Sequence, residues 1–82
     1  MKLFKISQNV NNNYDTFDSA IVCAETIEEA RNIHPSDYFD INDTDPYKFS
    51  DWCEFSKVKV SYIGEAKKGM KSGVVLASYN AG

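Results

Sequence analysis

Residues 19–35 read SAIVCAETIEEARNIHP, and this stretch decides the fold class. SAIVCA (19–24) is a short apolar run with branched side chains, the pattern of a buried strand. From Glu25 onward the spacing turns helical. Thr26 and Glu29 form a capping box: the Thr oxygen accepts from the N3 amide and the Glu reaches back. Glu28 and Glu29 suit the positive start of a helix. Ile27, Ala30 and Ile33 share one face, with Arg31 opposite. Pro35 ends the helix, and His34 near its C-terminus suits the dipole. A helix of about two or three turns is not stable alone in water, so this one is expected to pack on a sheet.

The strands lie on either side. KLFKIS (2–7) puts Leu3 and Lys5 on one face and Phe4 and Ile6 on the other, which predicts a central strand. QNVNNNYDTFD (8–18) is rich in Asn and Asp and reads as a long loop. SDYFDINDTDPYKF (36–49) has no period and reads as an acidic loop. SDWCEF (50–55) is suited to a helix of one or two turns with Ser50 as N-cap. KVKVSYI (57–63) alternates, with Val58, Val60 and Tyr62 opposite Lys57, Lys59 and Ser61. GEAKKGMKSG reads as a hairpin turn, and GVVLASYNA (73–81) as a last strand. The expected fold is α+β: a four-stranded, mostly antiparallel sheet with one helix on one face and room for a short second helix, in the order β-β-α-(α)-β-β. One parallel pair stays open, because a helix stands between the second and third strands.

With 82 residues, the chain has room for one small domain, 1–82. It is 43% hydrophobic and 13% aromatic, too rich for a disordered tail. No apolar run approaches the roughly 20 residues of a membrane helix. MKLFKISQNV is interrupted by Lys5 and Gln8, unlike a signal peptide. Cys23 and Cys53 stand far apart with no CxxC pattern, which suits a reduced, cytosolic protein.

The net charge of −3 hides a segregation. From residue 6 to 54, eleven acids face only Arg31 and Lys48, a net −9, while the flanks carry +2 and +4. Lys67, Lys68 and Lys71 form the one basic cluster, expected at a solvated turn. An acidic middle opposes direct nucleic-acid binding, which draws on clustered cations. It suits a basic partner, such as a nucleic-acid-handling protein.

No catalytic constellation stands out. Cys23 or Cys53 with His34 lacks an orienting third group, and there is no nucleophile elbow, P-loop or GxGxxG. The reading is therefore non-enzymatic, with no cofactor and no assigned metal. The strongest feature is residues 37–55, which hold six of the chain's aromatics and six acids. Interfaces favour such aromatic anchors ringed by polar groups. Tyr38, Tyr47 and Trp52 are the expected anchors, and Asp37, Asp40, Asp43, Asp45 and Asp51 the steering charges. The bland alternative is that several rings, Phe39, Trp52 and Phe55 among them, cover the sheet as core. A second reading is a small-ligand or divalent-metal module, using Asn11, Asn12, Asn13 and Asp15 of loop 8–18 or the acidic loop 36–51. A third is a homodimer pairing an exposed strand edge.

The runs YDTFDSAIVCAETIEEARNIHP, VKVSYIGEA and GVVLASYNAG resemble small uncharacterised proteins of bacteriophages and prophages. The similarity spans most of the chain and is weakest over 36–56. It implies a mobile-element origin and a bacterial cytoplasm, and it carries over no catalytic residue. Many phage accessory proteins of this size bind and block host factors, defence enzymes such as CRISPR effectors included, so the resemblance implies a host protein as partner.

Overall fold

The computed structural model describes residues 1–12, 15–36 and 51–80. Four strands, β1 (Lys2–Ser7), β2 (Thr16–Ala24), β3 (Lys59–Glu65) and β4 (Gly73–Asn80), form one sheet in the order β3-β1-β2-β4. All three pairings are antiparallel, so the parallel pair left open by the sequence does not occur among them. One helix, α1 (Ile27–Arg31), and a 3-10 turn, Phe55–Lys57, complete the fold.

One sheet face carries the core. Phe4 and Ile6 of β1 stand beside Val22 and Ala20 of β2 in the ladder, and all four are buried. Ala24, Ala30, Trp52, Cys53 and Val58 complete the cluster. Phe17, Ile33, Phe55, Val60, Val74 and Ala77 pack half-buried around it. The opposite face shows Lys5, Lys59, Ser61 and Leu76 to solvent. Alternation with period two places these sets on opposite faces.

Four sequence expectations need correction. β2 begins at Thr16 rather than residue 19, because a bulge interrupts the alternation. Asp18 is the extra residue there, and it brings Phe17 next to Tyr79, with ring centroids 4.8 Å apart. The helix has five residues, shorter than its periodic pattern, and Ile27 is 51% exposed. Asn32 ends it, donating its backbone N–H back to Glu28 and Glu29. Residues 51–54 are not helical; only the 3-10 turn at Phe55–Lys57 forms, and no side chain caps it. Finally, the segment 66–72 is no hairpin. It links β3 to β4, which occupy opposite edges of the sheet, so it crosses the sheet end past Met1, whose carbonyl accepts from Ala66 N–H at 3.1 Å.

Candidate functional site

Gln8 begins the site. It follows β1 at the position that continues the inward parity of Phe4 and Ile6, and it is 6% exposed. A buried amide must find partners. Its Oε1 accepts from the backbone N–H of Val10 and Asn11, at 2.9 and 2.8 Å. Its Nε2 donates to the carbonyls of Asn11 and Phe17, at 2.8 and 3.0 Å. One side chain thus ties the loop after β1 to the start of β2.

That tied loop holds the chain at residues 51–52. Asn11 Nδ2 donates to the Trp52 carbonyl at 2.9 Å. Phe17 N–H donates to the Asp51 carbonyl at 2.8 Å. The Asp51 carboxylate lies 3.1 Å from His34 Nε2. On the other side of that ring, Ser36 N–H donates to Nδ1 at 3.1 Å, and Ser36 Oγ lies 2.9 Å away. A ring nitrogen that accepts from an amide carries no proton, so in the neutral ring the proton sits on Nε2, facing Asp51. Burial lowers the His34 pKa below its ordinary 6.5, and the nearby Asp51 carboxylate opposes that shift only in part. His34 is therefore neutral at pH 7, and its ring lies between residues 34–36 and the Asp51 carboxylate, 3.1 Å from Nε2.

This clamp sets the ends of the acidic stretch side by side. Ser36 and Asp51 are brought together through one imidazole, and the sequence between them carries Asp37, Asp40, Asp43 and Asp45 against Lys48. Asp37, Tyr38, Asp40, Asp43, Asp45 and Tyr47 lie outside the described residues, as does Asn13. Asp51 is half-buried and belongs to the clamp. Trp52 corrects an expectation. It is fully buried, so its ring forms part of the core and offers no anchor to a partner. Its Nε1 finds no acceptor among the described residues.

Two residues of the ligand reading, Asn11 and Asn12, bond within the chain. Asn11 braces Trp52, and Asn12 Nδ2 donates to the Asn9 carbonyl at 3.2 Å. Asp15 takes a left-handed backbone with φ 60°, a conformation that Asp tolerates. The described residues contain no group of three or more His, Cys, Asp or Glu placed to hold a metal ion. Cys23 and Cys53 are both buried and free, and burial with the neighbouring Glu54 pushes the Cys53 thiol up, away from the reactive thiolate.

A second concavity went unread in the sequence. Because α1 is short, Phe4, Ile27 and Tyr62 line an apolar cleft of about 600 Å³ between the helix start and the β1–β3 edge, rimmed by Lys2, Glu25 and Glu28. Tyr62 is 55% exposed, and its hydroxyl donates to Glu65 at 3.0 Å. Nothing in the sequence signalled it, because the pattern there reads as a longer helix than the five residues that form. No protein-family model, curated protein or solved structure matches this chain.

Proposed function

We propose that this chain is a non-enzymatic accessory protein of the phage or prophage kind, which binds a basic host protein through its acidic aromatic stretch. The observation that carries the reading is the clamp. Asp51, Trp52, His34 and Ser36 are fixed to one end of the sheet through Gln8, Asn11 and Phe17. A recognition segment whose two ends are fixed by a rigid scaffold is a recurrent way to carry function on a connection. Between those ends stand Asp37, Asp40, Asp43 and Asp45 to steer a cationic partner, with Tyr38 and Tyr47 as aromatic anchors. Charge of this sign disfavours nucleic acid as the direct ligand and favours a protein that itself handles nucleic acid, a host-defence factor included. The site of action under this reading is the bacterial cytoplasm.

The test is a tagged pull-down from bacterial lysate at low salt with nuclease added. It compares the wild-type chain with a fourfold variant, Asp37→Asn, Asp40→Asn, Asp43→Asn and Asp45→Asn. A stoichiometric protein retained by the wild type and lost by the variant supports the reading. A partner held equally by both, or no partner at all, overturns it.

A further inference from the structure

We propose that a second copy of this chain pairs along the outer edge of β4, which no described strand covers, antiparallel across a twofold axis, so that two four-stranded sheets continue as one. β4 hydrogen-bonds β2 on one side and no described strand on the other. It is eight residues long, GVVLASYN, with no charge and no proline. Proteins that stay monomeric guard such edges with lysines, prolines, very short strands or bulges, because the row of unpaired N–H and C=O groups otherwise recruits another strand. β4 carries one bulge, at Val75, and none of the other guards. β3, the opposite edge, is guarded: it begins at Lys59 and ends at Glu65. β4 instead shows Val75 at 47%, Leu76 at 69% and Tyr79 at 49% exposure.

Charge selects the occupant and its direction. The chain enters β4 from the exposed Lys67, Lys68 and Lys71. The other end of β4 lies beside acids: Thr16, which follows Asp15, pairs with Asn80, and Phe17, which pairs with Tyr79, donates its N–H to the Asp51 carbonyl. Antiparallel pairing of two identical edges sets the lysine end of each copy beside the acidic end of the other. Parallel pairing would set like charge on like. A twofold arrangement is also closed, whereas β4 on β3 of the next copy would extend without limit. The closed dimer places the two clamps at opposite ends of the shared edge. Pairing of this kind does not depend on the identity of any host partner.

Sedimentation equilibrium over a wide concentration range tests it. The wild-type chain is expected to move from one chain mass to twice that mass as concentration rises. The double variant Leu76→Lys, Ser78→Lys, at two exposed positions, is expected to stay at one chain mass with an unchanged melting temperature. Should it fail to fold, Val75→Lys at the strand bulge gives the same reading. Lys71→Glu is expected to raise the dimer dissociation constant about tenfold. A wild-type chain that stays at one mass at every concentration, a mass that grows past two chains, or a dimer indifferent to the lysines would overturn the inference.

Discussion

His34 sits where water barely reaches it, and its fate with pH follows from that. Its folded pKa lies below the ordinary 6.5, because burial disfavours the imidazolium more than Asp51 favours it. The unfolded chain therefore binds the proton first as pH falls. Stability from this group is present above about 6.5 and is lost as pH drops through and below that value. Urea denaturation at a series of pH values is expected to show this loss, and His34→Gln should flatten the slope around the histidine range. Trp52 is the other decisive residue. Its ring is fully buried among Phe4, Ile6 and Val22, so Trp52→Ala should cost about 3–5 kcal/mol in a chemical melt. A loss under about 1 kcal/mol would contradict its place in the core. The acidic surroundings of Trp52 made it look like a surface anchor in the sequence, because charge neighbours along the chain say nothing of where one ring points. Gln8 was legible in principle: it continues the inward positions of β1, where a polar residue must be paired by its own surroundings.

At the scale of elements, α1 depends on its cap. Thr26 Oγ1 accepts from Glu29 N–H at 3.1 Å, while the Glu29 carboxylate takes the Glu25 N–H at 3.2 Å. With five residues, the helix has few internal bonds besides these. Thr26→Ala should lower stability by about 1 kcal/mol and Thr26→Ser by much less, both readable as shifts in the urea midpoint. The Thr26 cap was visible in the sequence because it is a local pattern. The Glu29 carboxylate, however, reaches the Glu25 N–H, one residue before the cap, rather than the Thr26 N–H. β1 and β3 were visible through alternation and β2 through its apolar run, while strand ends were not, because Asp18, Ile63 and Val75 are inserted at bulges that break the period. The crossing at 66–72 reads as a hairpin for a related reason: a glycine-rich polar segment marks a turn, and it does not say whether the strands it joins are neighbours. Gly69, at φ 92°, supplies the left-handed backbone that this crossing uses.

At the scale of the whole molecule, charge and topology combine. The sheet places the lysines of 67–71 at the end where β4 begins and the clamp of Asp51 and His34 at the end where β4 finishes. The sequence showed the segregation of charge along the chain. Only the strand order β3-β1-β2-β4 converts it into two ends of one body. The pairing of Ser36, His34 and Asp51 was equally out of reach, since it depends on β2 presenting Phe17 N–H to the Asp51 carbonyl.

The proposed binding of a basic protein by the acidic stretch is best probed by the affinity for the captured partner as a function of ionic strength. The wild-type chain and the fourfold Asp37, Asp40, Asp43, Asp45→Asn variant would be compared. Wild-type binding is expected to weaken steeply with salt, and the variant to bind weakly with little dependence on salt. Wild-type affinity that stays level from low to high salt, or a variant that binds as well as the wild type, would rule out charge-steered recognition by this stretch.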